Sequence, residues 1–239
     1  MEQDGVRINK FLSEAGVCSR READRQLEAG NITIDGKVAT TGERVYPGQR
    51  VCFNGKEVTK EEEMILLALN KPVGIVCTTA SFDKHNVVDF VNYPKRVYPV
   101  GRLDKDSEGL LLLTNNGEIV NKMMRAGNHH EKEYIVTTRQ VITDDFLTKM
   151  AKGVPITNAA TGKKIITAPC KTMKINDNQF KITLIQGLNR QIRRMCGYFG
   201  YHVEELVRIR IMNVSVKGIK PGEIKELSGD VVRELRNML

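Results

Sequence analysis

A single carboxylate, Asp104, is the first candidate for chemistry in this chain. It lies in the segment Val97–Thr114, which reads VYPVGRLDKDSEGLLLLT. Gly101 interrupts an apolar run there, and Arg102 stands two residues before the acid. An acid held on a loop between two rigid strands is a common way to build a reactive site. An Asp close to a glycine is also a common turn residue, so this segment alone leaves both interpretations open.

A second segment, QGLNRQIRRMCGYFGYHV, concentrates arginines at the start of a predicted helix. The spacing predicts a helix from Arg190 to Phe199, with Asn189 as its cap and Gly200 at its end. The helix dipole disfavours arginines at this end by a few tenths of a kcal/mol each. An anion in front of them is therefore expected, either a phosphate backbone, a buried carboxylate such as Asp104, or both. The arginines concerned are Arg190, Arg193 and Arg194.

An arginine beside Asp104 would keep that carboxylate ionised in a poorly solvated site. A single ionised Asp differs from a typical glycosidase, which uses two carboxylates. It suits a nucleophile or a base that acts at C1′ or C2′ of a ribose.

The elements that position these residues are predicted from hydrophobic patterns. The uninterrupted run Leu110–Leu113 predicts a strand that is buried on both faces. Thr143 is expected to cap its helix, and Gly153 to end it. Further strands are predicted at Met64–Leu69, Ile75–Thr78, Glu131–Thr137, Lys164–Ile175 and Gln179–Ile185. Helices are predicted at Glu118–Arg125 and Thr143–Lys152, and a short helix or turn at Val87–Tyr93.

Residues 1–60 are predicted to form a small separate domain of two short helices followed by hairpins. Ser19 and Glu22 are spaced as a capping box at the start of the second helix. Asp35-Gly36 and Asn54-Gly55 are signals for type I′ hairpin turns. The charged residues 61–63 are predicted to be an acidic linker to a larger domain at 64–239.

Composition limits the class of protein. The 239 residues are 41% hydrophobic and 28% charged, as is usual for a soluble globular protein, and no apolar run approaches the length of a membrane span. The polar, acidic N-terminus does not resemble a signal peptide. The five cysteines contain no CxxC pair, which favours reduced thiols in the cytoplasm. We therefore expect a cytoplasmic protein.

The distribution of charge points to a polyanionic partner. The net charge is +8, and residues 1–60 are nearly balanced with 10 basic and 9 acidic side chains. Residues 64–239 carry 27 basic and 17 acidic side chains. A basic domain of this kind is typical of proteins that bind RNA or DNA. No metal site is expected, because the adjacent pair His129 and His130 would point apart and no third ligand is near.

The order of elements in the first domain closely resembles the S4-like RNA-binding domain. Two short helices, the second opening with SRREA, are followed by a strand and a D-G-K hairpin. The resemblance covers residues 6–52 and implies that the second helix and the following strand bind structured RNA. Without it, the interleaved acids would favour an ordinary solvated helix. The basic side chains of that helix are Arg20, Arg21 and Arg25.

The larger domain resembles the RsuA-type pseudouridine synthase family almost from end to end. The matching motifs are NKPVG, GRLD, K-x-Y and GLNRQIRRM, with VVDFVN and RIMNVS in addition. The resemblance implies an α+β fold, with a mixed, largely antiparallel sheet around an RNA cleft. It also implies an isomerase that flips a uridine, breaks its N1–C1′ bond, turns the base and rejoins it through C5, without a cofactor.

The resemblance also implies roles for individual residues. Asp104 would attack C1′ or remove a proton from C2′, and Tyr134 would stack on the uracil and help to remove the C5 proton. Arg193 would pair with Asp104, with Arg190 as the alternative. The interpretation of Tyr134 from its strand alone is a half-buried aromatic residue.

Further residues would contact RNA. Arg102 would enter the stack where the base has left, because a planar guanidinium offsets part of the unstacking cost. Lys71 would contact the RNA backbone or serve a structural role near the pocket. Together with the arginines of the predicted helix, Arg190 and Arg194, these residues form the expected RNA interface of the larger domain.

The resemblance is strongest to family members that act on the large ribosomal subunit. The expected substrate is a uridine of 23S ribosomal RNA, with the anticodon uridine of tyrosine tRNA as a second candidate, and the expected state is a monomer. The alternatives are another ribosomal uridine, a ribosome assembly factor without catalysis, and a small-molecule glycosidase. The intact motif argues against the second, and the RNA-binding domain against the third.

Overall fold

The computed structural model describes residues 5–59, 63–79, 85–125, 127, 129–158 and 161–239. The chain divides into two compact units. The first contains the described residues up to Ile65, together with Tyr93–Val97 and Asn115–Gly117. The second contains the rest. Residues 60–62 lie outside the described chain, so the predicted linker at 61–63 stays a prediction.

The first unit consists of two helices and six short strands. Its sheets are a β1–β4 pair and a four-stranded sheet in the order β3-β2-β5-β6, all antiparallel. The helices bury Ile8, Leu12, Ala23 and Leu27 against this sheet. The elements are β1 (Val6–Arg7), α1 (Ile8–Glu14), α2 (Arg20–Glu28), β2 (Ile32–Ile34), β3 (Lys37–Val38), β4 (Arg44–Val45), β5 (Val51–Phe53) and β6 (Lys56–Glu57).

Local sequence signals account for the turns and caps of this unit. Ser19 caps α2, and its hydroxyl accepts a hydrogen bond of 3.1 Å from the Glu22 amide. Both residues of Asp35-Gly36 have positive φ, and so do both residues of Asn54-Gly55. A positive φ at two successive positions is what a type I′ turn requires, so the two predicted hairpins are confirmed.

After residue 65 the chain forms a large mixed sheet with flanking helices. The elements, in chain order, are β7 (Leu66–Lys71), α3 (Val87–Val91), β8 (Tyr98–Val100), β9 (Glu108–Thr114), α4 (Gly117–Met124), β10 (Lys132–Thr138), α5 (Asp144–Ala151), β11 (Pro155–Thr157), β12 (Lys164–Ile166), β13 (Lys171–Lys174), β14 (Gln179–Leu184), α6 (Gln191–Tyr198), β15 (Val203–Ile211), β16 (Val214–Ser215), β17 (Ile224–Glu226) and α7 (Gly229–Asn237).

The main sheet has nine strands. Its central path runs β13-β14-β10-β15-β9-β7-β17, while β8 pairs with β9 and β16 pairs with β15. Among the described strands of this sheet, only β9 and β15 run parallel; every other pair is antiparallel. The predicted α+β class is therefore confirmed, and so is the mixed, largely antiparallel sheet.

The core of the second unit lies between this sheet and helices α5 and α6. Phe146 of α5 packs edge to face on Phe180 of β14, with ring centroids 5.6 Å apart. Met195 of α6 joins the same cluster and is fully buried. In β9, Leu110–Leu113 are all fully buried, as predicted for a strand that is covered on both faces.

Three predicted strands differ in the structure by more than one residue at an end. Ile75–Thr78 is not a strand, because it makes a single bridge from Val76 to Asn86 and otherwise forms a loop. The predicted strand Lys164–Ile175 is two strands, β12 and β13, separated at Pro169, whose missing N–H interrupts a ladder. The predicted strand Met64–Leu69 is β7, which begins at Leu66 and extends to Lys71.

Candidate active site

The loop between β8 and β9 holds Asp104 in a constrained position. Leu103 is buried, and its amide donates a hydrogen bond of 3.3 Å to Cys77 Sγ. The Ser107 amide donates to the Asp104 carbonyl at 3.1 Å, which closes a tight turn. The Asp104 side chain remains 28% exposed. The predicted arrangement of an acid on a short loop between two strands of the sheet is therefore confirmed.

The expected ion pair between Arg193 and Asp104 is not formed, although the structure describes both residues. Arg190 is the arginine near this acid, with Nη1 3.9 Å from Asp104 Oδ2. Arg193 donates instead to two main-chain carbonyls, from Nη1 to Val203 at 2.9 Å and from Nη2 to Asp106 at 2.9 Å. These bonds hold the Arg193 guanidinium between the backbone of β15 and that of Asp106, which is why it does not reach Asp104.

Asp106 is the acid that holds the arginines, and the sequence reasoning missed it. Arg190 donates to both of its carboxylate oxygens, at 3.0 Å and 2.8 Å, and Arg193 Nε lies 3.4 Å from Oδ2. The hydrogen bond from Arg190, together with the charges of both arginines, lowers the pKa of Asp106. The signal in the sequence was a second Asp two residues after Asp104, at the other end of the turn.

Helix α6 begins one residue later than predicted. Its cap is Arg190, which has φ 48° and ψ 35° in the left-handed region and makes no side-chain capping bond. Asn189 does not cap the helix, because its Oδ1 instead accepts a hydrogen bond of 3.0 Å from Arg194 Nη2. Gln191 Oε1 accepts the Leu188 amide at 3.1 Å and ties the preceding turn to the helix.

Arg194 and Lys71 are both engaged by the protein. Arg194, which was predicted to contact RNA, donates from Nη1 to the Thr157 carbonyl at 2.6 Å and so links α6 to the end of β11. Lys71 has no exposed surface, and its ammonium donates to the carbonyls of Pro72 at 2.8 Å and Ile75 at 3.0 Å. Burial lowers the pKa of Lys71. The fully buried Lys71 side chain offers no surface to RNA, and its hydrogen bonds favour the structural role that was predicted as the alternative.

Tyr134 lies on β10 in a row of paired residues across the sheet. It pairs with Arg208 of β15, Arg208 pairs with Gly109 of β9, and Gly109 pairs with Lys71 of β7. With about 4.8 Å between strands, Tyr134 and Gly109 are roughly 10 Å apart, on either side of Arg208. The Tyr134 ring is half-buried and packs against the main hydrophobic core.

The remaining arginines predicted to bind RNA are exposed. Arg102 is exposed on the Asp104 loop, and Arg20, Arg21 and Arg25 are exposed on α2. Arg25 forms an ion pair with Glu22 on the same helix. Within the described part of the chain, no cluster of three or more His, Cys, Asp or Glu side chains is arranged to hold a metal ion.

Two family models match the chain. An RNA pseudouridylate synthase model matches residues 65–198, and an S4 domain model matches residues 6–51. The chain is 53% identical, over its whole length and 81% of the relative, to the dual-specificity RNA pseudouridine synthase RluF of Escherichia coli K12. It is 33% identical to ribosomal large subunit pseudouridine synthase B of Bacillus subtilis, over 96% of this chain and 95% of that one.

A solved structure supports the same fold. A crystal structure of a pseudouridylate synthase superposes with a TM-score of 0.69 at 27% identity, covering 98% of this chain and 100% of the other.

The chain therefore belongs to the RNA pseudouridine synthase family, in the branch that carries an N-terminal S4 domain. The family inferred from the sequence motifs is confirmed, and with it the assignment of the enzyme as an isomerase. No described helix is long and apolar enough to cross a membrane.

Proposed function

We propose that this enzyme converts a specific uridine of 23S ribosomal RNA to pseudouridine, and that the anticodon uridine of tyrosine tRNA is a second substrate. The observation that carries the proposal is the 53% identity, over the entire chain, to an enzyme named for dual specificity. A relative named for the large ribosomal subunit, 33% identical, supports the first substrate. We further propose that the enzyme acts as a monomer in the cytoplasm.

We propose Asp104 as the catalytic carboxylate, acting on C1′ or on the C2′ proton. It is partly exposed on a loop whose neighbours Leu103 and Ser107 are hydrogen-bonded in place. Arg190 Nη1 lies 3.9 Å from its Oδ2 and places a positive charge beside the carboxylate. In this arrangement Arg190, rather than Arg193, is the arginine nearest to the reacting carboxylate.

The proposed reaction conserves all atoms of the substrate. The N1–C1′ bond breaks, the C5–C1′ bond forms, a proton leaves C5, and a proton is gained at N1. No electron is transferred to or from the RNA, so the isomerisation requires no oxidant, reductant or second substrate. Tyr134 is proposed to stack on the flipped uracil and to assist the loss of the C5 proton, since a phenol is both a π surface and a hydrogen-bonding group.

The RNA interface is proposed to include Arg102 and Arg190 near the loop and the exposed arginines of α2. Arg102 is exposed beside Asp104 and is proposed to fill the gap left by the flipped base. Arg193 and Arg194 are proposed to brace the site, because their guanidinium groups donate to main-chain carbonyls.

The substrate proposal is tested by mapping pseudouridines in cells that lack this gene. Carbodiimide treatment followed by reverse transcription marks each pseudouridine as a stop in ribosomal RNA and tRNA. Adding back the wild-type protein should restore a stop in 23S ribosomal RNA and one in the tyrosine tRNA anticodon, while Asp104→Asn should restore neither. A restored stop in the small-subunit RNA alone would overturn the proposed substrates but not the chemistry.

A further inference from the structure

Arg208 is a buried cation that the mechanism above does not use. Only 3% of its surface is exposed, and among the residues that the structure describes it has no carboxylate partner. Two more cations lie close. Burial and then the charge of Arg208 lower the pKa of Lys132, and burial lowers the pKa of Lys71, on which the charge of Arg208 acts against those of Asp106 and Glu108. A buried, uncompensated guanidinium is costly to a fold and calls for an explanation.

Two of the three guanidinium nitrogens of Arg208 donate to main-chain carbonyls, while Nη2 is buried with no hydrogen-bond partner among the described residues. Its Nε donates to the Leu110 carbonyl at 2.7 Å, and its Nη1 donates to the Arg102 carbonyl at 3.3 Å. These carbonyls lie at the two ends of the segment 103–109, which contains Asp104. One guanidinium therefore joins the entry and the exit of the catalytic loop.

Gly109 allows this arrangement. It has φ 108°, and a Cβ there would lie 2.3 Å from the Arg208 carbonyl oxygen. The parallel pairing of β9 with β15 at this point therefore requires glycine opposite Arg208. The loop 103–109, strand β9 and Arg208 are therefore brought together by contacts between residues that are far apart in the sequence.

We propose that Arg208 is a positioning residue that fixes both ends of the Asp104 loop and thereby sets the position of the catalytic carboxylate. This inference rests on the proposed role of Asp104. A planar guanidinium donates to two carbonyls in fixed directions, whereas a lysine ammonium cannot reproduce that bridge. Misplacement of a catalytic group by about 1 Å can cost 100-fold in rate, so loosening the loop is expected to affect catalysis more than binding.

The test compares Arg208→Lys and Arg208→Met with the matched control Arg210→Lys. Arg210 lies two residues further along the same strand, and its carboxylate partners are Glu131 and Glu133, outside the loop. The Met variant keeps a long side chain without a buried charge, so it remains a test if the Lys variant does not fold. The probe is a 23S ribosomal RNA transcript with tritium at C5 of uridine, because isomerisation releases that tritium.

In single-turnover reactions at saturating enzyme, we expect the Arg208 variants to react at least about 10-fold more slowly than wild type. Their dissociation constants for RNA should stay within about three-fold, and Arg210→Lys should react within about two-fold of wild type. Amide hydrogen exchange in residues 102–110 should accelerate in the Arg208 variants alone, because a loop released at its ends opens more often.

Three results would overturn the inference. The first is a wild-type rate in either Arg208 variant. The second is a loss of rate in Arg210→Lys as large as that in the Arg208 variants. The third is weaker RNA binding in the Arg208 variants without a loss of rate. A wild-type enzyme that releases no tritium from this RNA would instead contradict the proposed substrate, so the two failures are distinguishable.

Discussion

Two aspartates in one turn divide the electrostatic work of the site. Asp106 accepts hydrogen bonds from both terminal nitrogens of Arg190, whereas Asp104 Oδ2 lies 3.9 Å from Arg190 Nη1 and its carboxylate accepts no side-chain hydrogen bond from the described residues. A fully paired Asp104 would be a poor nucleophile or base, because its lone pairs would be occupied. The arrangement supplies positive charge beside the proposed catalytic acid without occupying its oxygens.

Asp106→Asn tests this division. The amide retains the shape of the side chain but weakens its hydrogen bonds with Arg190. We therefore expect the Arg190 guanidinium to turn towards Asp104 and to pair with its carboxylate oxygens. The single-turnover rate should fall by about 3- to 30-fold, or 0.7–2 kcal/mol of barrier. Glu108→Gln is the control, since it changes a carboxylate at the end of the same loop without removing the ion pair between Arg190 and Asp106. A rate equal to wild type in Asp106→Asn would show that Arg190 needs no anchor.

The free energy of unfolding is also predicted to depend on pH through Asp106, and Asp106→Asn tests this. Because Arg190 lowers the pKa of Asp106, the folded state binds fewer protons than the unfolded state, where an aspartate has a pKa of about 3.9. The contribution of Asp106 is therefore fully present above pH ~4 and is lost as pH falls through the lower folded pKa. Urea unfolding of wild type and Asp106→Asn should differ at pH 6 and converge in acid. A difference that persists or grows in acid would contradict the assignment.

Tyr134→Phe separates stacking from proton transfer. The ring is retained and the hydroxyl removed, so RNA affinity should stay within about three-fold while the isomerisation rate falls by about 100-fold or more, the lower end of the usual scale of acid–base assistance. Tyr98→Phe is the control, because it removes the same hydroxyl group from a tyrosine of another strand, β8. Full activity in Tyr134→Phe would leave Tyr134 with stacking only.

At the scale of elements, local signals predict local structure and fail where distant contacts decide. The Asp35-Gly36 and Asn54-Gly55 turns and the buried strand β9 follow from the chemistry of their own residues. Ile75–Thr78 has the composition of a strand, but one bridge and the contact from Cys77 to the catalytic loop keep it irregular. Strand propensity is easily overridden in this way.

Helix α6 illustrates the same limit within the site. A helix was predictable from its apolar spacing, but its start was not. Arg190 takes the left-handed conformation that glycine and asparagine prefer, and its side chain is paired with Asp106. The pairing of Arg190 with Asp106 rather than of Arg193 with Asp104 depends on how β9 and α6 meet, which no window of sequence contains.

Arg190→Gly tests this account of the helix start. Glycine relieves a left-handed conformation that costs a side chain about 1–2 kcal/mol, while the lost ion pair is exposed and contributes about 0–1 kcal/mol. The free energy of unfolding should therefore change by less than about 1 kcal/mol or rise slightly, whereas the isomerisation rate should fall at least five-fold. Large destabilisation would show that the Arg190 contact, and not the backbone, determines this turn.

At the scale of the whole molecule, the chain combines an RNA-binding unit with a catalytic unit. The family and both domains were predictable, because their motifs are contiguous stretches of sequence. The strand order and the parallel pairing of β9 with β15 were not, since they join residues about a hundred positions apart. The row from Tyr134 through Arg208 to Lys71 exists only in the folded sheet.

The contribution of the S4 unit is tested in the full chain by a double substitution, Arg20→Gln with Arg21→Gln. Both side chains are exposed on α2, so their loss should weaken RNA binding and reduce the slope of log Kd against log salt by about 1–2, one for each lost phosphate contact. Arg50→Gln is the control, because Arg50 is already paired with Glu57 in the same unit. An unchanged slope would remove α2 from the RNA interface.

The most direct measurement of the central claim is the single-turnover release of tritium from C5-labelled 23S ribosomal RNA by Asp104→Asn, beside wild type. The amide preserves the shape of the side chain but provides neither a nucleophile nor a base. The account predicts that release is abolished while the dissociation constant for RNA stays within about three-fold, because Asp104 acts in chemistry rather than in binding. Substantial release by the Asn variant would contradict the assignment of Asp104 as the catalytic carboxylate.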